Sequence, residues 1–453
     1  MSNTTTQTTL LQGWTDSPDH RGTMDIIYSC TFTIFICIWS VLCVNVGPHG
    51  ESTWTKVYRK LKLAGLCILG PDFLLFLTIG QWESARKSCH NFEERGIRKW
   101  SMTHAFYADM GGFILRTKDG VTWPLDANEI LYLIDEEWIQ EPVISKQLVI
   151  DKSEIDDRNK KNALVRVYAI VQILWFLINC TVREVQRLAI TTLELTTIGF
   201  IITTIGVSLL WLNKPTDIET RRVIELDVTM AEIYARAGLS DWYDTPLDFL
   251  KLERTYTEVA WRYCLDILSA VFLIRDNPAR PIRYRRDDNF PPTSYIGMGI
   301  VVVSGFLSWG TNLLAWNFDF PSPSERQAWR ASSCILIAVI LIGGIYHEIL
   351  LNVFPDVKKN ACERFAGNKR SGAIYKPGGN SRGKRLLLRL SNISPNADPS
   401  LTMPLKVLLP ALLCGAAYVV SRVYILLEDV LAFRGQNPDV YKTSNWVDFL
   451  PHV

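Results

Sequence analysis

The chain has 453 residues, 48% of them hydrophobic, and 48 Lys+Arg against 46 Asp+Glu for a net charge of +2. Near-neutrality, without any basic patch interleaved with aromatics, excludes the electrostatic footprint of a nucleic-acid binder. The apolar residues are gathered into long runs between charged stretches instead of spreading at periods of two or 3.6, which excludes an ordinary soluble enzyme and makes the lipid bilayer the expected surroundings.

The first 20 residues are polar and lack the basic segment and apolar core of a signal peptide. The first predicted span is 24–46, preceded by Arg21. Asp25, Ser29 and Thr33 recur every fourth residue, so they share a helix face expected to look into a bundle. Arg21 and Asp25, four apart, are a candidate pair. The second span, 61–80, carries Gly70-Pro71-Asp72, a predicted kink with a carboxylate at mid-span. In the polar region 81–161, His104 and Asp109 precede Gly111-Gly112. Phe113 to Leu115 and Val121 to Trp123 then flank Thr117-Lys118-Asp119-Gly120, a short β-hairpin. An amphipathic helix over Asn128 to Trp138 and the charged stretch DKSEIDDRNKK follow. The third span, 163–182, has Gln172, Asn179 and Arg183 along one face.

The fourth span, 188–213, holds one carboxylate, Glu194, bracketed by Thr191, Thr192, Thr196 and Thr197 and closed by Arg187 and Lys214-Pro215. With the helix centred near Phe200, Glu194 lies about 9 Å from mid-membrane. An ionised carboxylate at that depth is costly. It is therefore neutral and bonded to threonines, paired with Arg187, or a working acid. In the second polar region, 214–292, the apolar segment Trp261 to Ile274 is short for a span; it reads as an interfacial or core helix, or as an eighth, tilted crossing. The fifth, sixth and seventh spans are 294–316, 331–354 (ending in His347-Glu348) and 403–427, with a Gly-, Lys- and Arg-rich loop over 355–402. Arg422 lies in the last span, and Asp429 shares its face.

The expected fold is an all-α polytopic membrane protein. A single domain over 1–453 contains a bundle of seven transmembrane helices, or eight, with three large polar loops on one side. The loops carry most of the Lys and Arg, which puts them and the N-terminus in the cytosol and leaves the Asn3-Thr4-Thr5 sequon unglycosylated. The endoplasmic reticulum is the default organelle for such a chain.

Ten cysteines without a CxxC, and six histidines without HExxH, give neither a disulfide framework nor a metal site. No carboxylate cluster for Mg²⁺ and a diphosphate, no GxxxxGK[ST] or GxGxxG after a strand and no GxSxG occur, so cofactor-free chemistry is expected. The remaining polar groups at membrane depth are Asp25, Asp72, Gln172, Asn179, Arg183, Glu194, Asn312 and Arg422. Their simplest use is proton donation in a dry cavity, since burial keeps a carboxyl protonated at neutral pH. Trp, Tyr and Phe could wall such a cavity and stabilise cations through their faces. A seven-span transporter, channel or sensor would use the same charges as an ion or proton path. The halves of the chain show no inverted repeat in support of it.

RGTMDIIYSC in the first span, HAFYADMGGF in the first loop, DKSEID before the third span and LELTT in the fourth form one set of motifs. AWNFDFPSPSERQAWR after the fifth span and the close SRVYILLEDV…NWVDFLPHV complete it. Over nearly its whole length the chain resembles a group of fungal membrane proteins. Its characterised members are the membrane-bound terpene cyclases of meroterpenoid pathways such as ascofuranone, ascochlorin and macrophorin. The resemblance implies cofactor-free isomerisation of a farnesylated, epoxidised aromatic, begun by protonating a terminal epoxide or olefin and ended by a base, with other enzymes of the pathway as partners. The group's pattern has His three residues before the Ala-Trp of the fifth span, where this chain has Asn312. On physical grounds Glu194 is the expected acid, with Asp25 and Asp72 next. Arg183, Asn179, Asn312 and Arg422 are expected to orient the substrate, and His104 and Asp109 to supply a base or a lid contact.

Overall fold

The computed structural model describes residues 11–17, 20–140, 143–144, 148, 160–216, 218, 220–236, 244–250, 256–271, 279–353, 390–394 and 398–444. Asn3, the DKSEIDD stretch, most of the 355–402 loop, the NWVDFLPHV close and the side chains of His347 and Glu348 lie outside the described residues.

The helices are α1 (Thr23–Val41), α2 (Thr53–Leu69), α3 (Pro71–Glu94), α4 (Met102–Asp109), α5 (Ala127–Asp135), α6 (Lys160–Val185), α7 (Thr192–Leu210), α8 (Met230–Arg236), α9 (Tyr256–Val271), α10 (Tyr295–Leu314), α11 (Pro323–Val353) and α12 (Leu405–Leu431). Six of them, α1, α6, α7, α10, α11 and α12, contain stretches long and apolar enough to cross a membrane. The chain is thus a polytopic helical bundle. α7 is its central helix: 61% of its apolar window is buried inside the protein, against 28–39% for the other five. It packs on α1, α3, α10 and α12. Gly199 permits a close approach to α10, because a Cβ there would lie 2.7 Å from the Ser308 carbonyl oxygen.

The second predicted span is not one crossing. Pro71 cannot continue a helix and pushes Gly70 out of the α region (φ −152°, ψ 84°), so α2 and α3 meet at a bend of 113°. Both outer ends return to the same end of the bundle. At the start of α2, Arg59 bonds Asp287 and Glu51. Down α3, Gln81 accepts from Lys214 just past α7, and Glu83 accepts from the Ser294 cap of α10. Asp287 and Ser294 belong to the same connection, so the pair is re-entrant. Among the described residues the seven predicted spans are therefore six crossing helices and this bent pair, seven if the pair is counted as one span. Of the Trp261 to Ile274 segment, 261–271 fall in α9, which is not among the helices long and apolar enough to cross, and 272–274 lie outside the described residues.

The large loops gather at that end. β1 (Phe113–Arg116) and β2 (Thr122–Leu125) form the predicted hairpin, its turn closed by Gly120 at φ +79°. β3 (Arg222–Glu225), from the second loop, adds in parallel to β1. The fold is therefore not purely α. Asp126 caps α5 by accepting from the Glu129 amide. Trp123, Phe113, Leu125, Ile130 and Ile224 make a common core beneath the sheet. The third loop joins them where the Tyr263 hydroxyl of α9 donates to the Leu390 carbonyl, at 2.8 Å.

Residues 11–17 and 20–22 and residues 432–441 occupy the other face. Gln12 pairs with Gln436 as a β-bridge, and the Arg21 amide donates to the Tyr441 carbonyl. Residues 11–17 and 20–22 thus lie at the end of the bundle opposite the sheet and the outer ends of the bent pair.

Candidate functional site

Among the described residues, two clusters of buried charge lie in the bundle. At the end that holds residues 11–17 and 432–441, α7 begins at Thr192, so Leu188 to Thr191 are not helical and Glu194 sits in the first turn. Its Oε2 accepts from the Thr191 amide (2.8 Å) and hydroxyl (2.9 Å), a capping box. Its Oε1 is ion-paired with Arg21. Arg187, at φ 55°, turns the chain between α6 and α7. Arg183 is 3% exposed and donates to the carbonyls of Ala189, Asp439, Val440 and Lys442, so it fastens that turn to the C-terminal segment. Asn179 bonds back to the Trp175 carbonyl of its own helix. Glu194 is thus fully engaged by a cap and a cation.

Asp25 does not face the interior. It is exposed, accepts from the Gly22 amide (2.9 Å) and Ser17 hydroxyl (2.8 Å), and caps α1. The buried stripe of α1 is Ile26, Cys30, Thr33 and Cys37, and Gln172 of α6 donates to Thr33 across it.

The second cluster surrounds the apex of the re-entrant pair. Trp309 lies 14 residues into α10 and Tyr418 13 residues into α12, so the apex reaches about 20 Å in from the loop end. A helix broken at this depth leaves its last carbonyls and first amides without intrahelical partners. Arg422, 0% exposed, answers the negative end of α2 by donating to the Ile68 carbonyl at 3.3 Å. Asp72 answers the positive start of α3. Its Oδ2 accepts from Trp309 Nε1, while its Oδ1 has no hydrogen-bond partner. Arg422 Nη1 and the Tyr418 hydroxyl also lack partners. The Arg422 guanidinium lies 4.5 Å from the Trp309 ring centre and 5.0 Å from that of Phe200. Tyr418 meets Phe73 and Trp309 edge-to-face at 5.5 and 6.0 Å.

A polar seam continues from this apex along α12 and α10 toward the terminal end. Asn312, 1% exposed, accepts weakly from Thr196 (3.4 Å), and its Nδ2 has no partner. Asp429, 1% exposed, has Thr192 and Thr196 beside it, yet neither of its oxygens has a well-formed hydrogen bond. Among the described residues, the Arg422 guanidinium is the cation that acts on both Asp72 and Asp429. Among the described residues of this seam, where the buried Glu428 also adjoins Asp429, carboxylates outnumber guanidinium, and a proton or a cationic guest would balance them.

His104 and Asp109 lie at the loop end, apart from both clusters. His104 is buried, with Nδ1 2.7 Å from the Ser101 hydroxyl in the cap of α4. Asp109 accepts from Ser84 (2.9 Å) and the Ala127 amide (3.3 Å). Burial, and then the Asp126 carboxylate, push its carboxyl up to about 6.

The structure thus brings together Asp72, Arg422 and, along the seam, Asn312. It leaves Glu194 and Arg183 at one end, His104 and Asp109 at the other, and Asp25 outside. Trp309, Tyr418 and Asp429 were not singled out for the site from sequence. Tyr418, Arg422, Ile425 and Asp429 follow i, i+4, i+7, i+11 spacing, which marks one face of α12; nothing local marks Trp309. Among the described residues no group of three or more His, Cys, Asp or Glu could hold a metal ion.

A family model described as a family of unknown function (DUF8562) matches residues 1–235, which include the re-entrant pair, the sheet and α7. No curated protein and no solved structure matches the chain.

Proposed function

We propose that this chain, which belongs to the DUF8562 family, is an integral membrane cyclase that isomerises a prenylated aromatic, with Asp72 as its acid. The observation that carries the reading is the Asp72 carboxyl: buried at the apex of a broken helix pair, one oxygen held by Trp309, the other unengaged, with Trp309, Tyr418 and Phe73 around it. The motif resemblance set out above points the same way.

Protonation of a terminal epoxide or olefin by Asp72 opens a cation in the chain of the substrate, and the π faces at the apex stabilise it. Arg422 offsets the carboxylate left behind. Loss of a proton from the cyclised cation or from the attacking phenol to that carboxylate restores the acid, so product and substrate have the same composition. The endoplasmic reticulum is the proposed membrane, because such substrates are lipophilic.

The test supplies microsomes containing the protein with a linear farnesylated phenol and its terminal epoxide. The expected result is a product of unchanged mass, lost with Asp72→Asn and retained with Glu194→Gln. Loss only with Glu194→Gln would return the acid to α7.

A proton or cation path is the second reading. It is favoured by the uncompensated carboxylate of the Asp72–Arg422–Asp429 seam, since broken helices at membrane depth also form transporter sites. Proton flux into liposomes, abolished by Asp429→Asn without any cyclised product, would select it.

A further inference from the structure

We infer that the outward face of α2 is a binding site for an anionic phospholipid, its headgroup at Lys56, Lys60 and Lys62 and its acyl chain along the helix toward the apex. The inference does not depend on the chemistry proposed above.

The bend at Gly70 leaves this face open. α2 runs inward from the loop end for 17 residues and stops at the apex. Its buried side is Arg59, Leu63 and Cys67. The opposite side is apolar: Trp54, Tyr58, Leu61 and Ile68 follow i, i+4, i+7 and i+14 spacing, and all four are exposed, Trp54 by 82%. Gly65 falls in the same row, and a Cβ there would meet nothing within 4 Å. Phe35 and Trp39 of α1, both exposed and stacked at 5.8 Å, border the row where Lys60 Nζ lies 5.7 Å from the Trp39 ring centre. Within a bundle that spans the bilayer, an apolar face along such a helix is covered by acyl chains.

The charge selects the lipid. α2 contains Lys56, Arg59, Lys60 and Lys62 and no acidic residue. Arg59, on the buried side, is held by Asp287 and Glu51. Asp288 lies 3.1 Å from Arg286 and 3.9 Å from Lys62. The three lysines stand on the turns nearest the loop end, with Trp54 and Tyr58 among them. Basic and amphipathic aromatic side chains on one helix are the combination that meets lipid headgroups. From Lys60 to the bend, ten residues give the chain about 15 Å of apolar helix to lie along. A zwitterionic lipid fits the same groove and gains little from the lysines. Each basic residue beside an anionic lipid surface favours it about 5-fold, so three favour it about 100-fold at low ionic strength.

The full chain is purified in detergent, and its folded fraction is followed on heating with added phosphatidylglycerol or with phosphatidylcholine of the same acyl chains. The expected result is a higher midpoint with phosphatidylglycerol than with phosphatidylcholine. That difference should vanish at about 1 M salt, where the screening length falls to about 3 Å. In Lys56→Gln/Lys60→Gln/Lys62→Gln the phosphatidylglycerol concentration for half the effect should rise about 100-fold. Arg116→Gln/Lys118→Gln/Arg236→Gln removes as many exposed cations from the sheet and α8, and should keep the preference. Lys56→Arg/Lys60→Arg/Lys62→Arg should keep both the fold and the preference. Equal effects of the two lipids on wild type overturn the site and leave the groove to bulk lipid. A preference that survives the Lys→Gln variant, or that is lost in the Lys→Arg variant or the sheet variant, overturns it as well.

Discussion

The Arg21–Glu194 pair offers the sharpest test of how the terminal end is held. Glu194 is 2% exposed and Arg21 20%, so removing either partner has unequal consequences. Arg21→Met leaves a buried carboxylate with only the Thr191 amide and hydroxyl as donors. Breaking a buried pair this way costs about 3–5 kcal/mol, and the two surviving donors place this case near about 3. Glu194→Gln keeps a side chain that the capping box accepts, and Arg21 can turn toward water. The loss there is the charged hydrogen bond alone, about 1.5–2 kcal/mol. The expected order of stability is wild type, then Glu194→Gln, then Arg21→Met. The double variant should sit above Arg21→Met, because it leaves no buried unpaired charge. Heating detergent-solubilised protein in steps and measuring the folded fraction by size-exclusion chromatography reads this order directly. Arg21→Met as stable as wild type, or less disruptive than Glu194→Gln, would refute the reasoning.

Three further outcomes follow from the same geometry. Gly199→Ala should lower the folded yield, at a cost of about 1–3 kcal/mol, because its Cβ meets the Ser308 backbone at 2.7 Å. Gly299→Ala, with open space around it, should be neutral in the same assay. Asp109 has a folded-state pKa of about 6 against an ordinary 3.8, so the folded chain holds this proton more tightly than the unfolded one. Its stabilising contribution is complete below about 3.8 and is lost as pH rises through about 6. Asp109→Asn should flatten stability against pH across that window, and an unchanged slope would remove Asp109 as its source. Trp309→Phe removes the donor to Asp72 and leaves both oxygens of a buried carboxyl without partners. It should slow cyclisation while the chain still folds, which is read as product formed per folded molecule.

Much of the architecture was legible from local pattern. Apolar run length marked the crossings, because a bilayer demands about 20 residues in register. The spacing around Gly120 marked the hairpin, and Gly70-Pro71 marked a helix break, because proline lacks an amide hydrogen wherever it stands. Those signals concern neighbours a few residues apart. The partner of Glu194 lies 173 residues away at Arg21, and no periodicity connects them. The sequence offered Arg187 to Glu194 and Asp25 to Arg21, each within seven residues of its proposed partner. The fold instead turned Asp25 outward as a cap and brought Arg21 over α7.

The same division holds for the larger features. A break at Gly70 is written in the chain, but whether α3 continues across or turns back depends on where Gln81 and Glu83 find Lys214 and Ser294. That choice sets the number of crossings, and with it which face residues 11–17 and 20–22 occupy. The third strand was equally hidden: Arg222–Glu225 is four residues long and gains its meaning only beside Phe113–Arg116. The sequence by itself determined that this is a membrane helix bundle with carboxylates at depth and polar loops between its spans. Only the tertiary structure decided which carboxylates are spent on caps and ion pairs and which, at Asp72 and Asp429, are left with an unbalanced charge. Local chemistry sets what a residue can do, whereas burial and distant partners decide what remains for it to do.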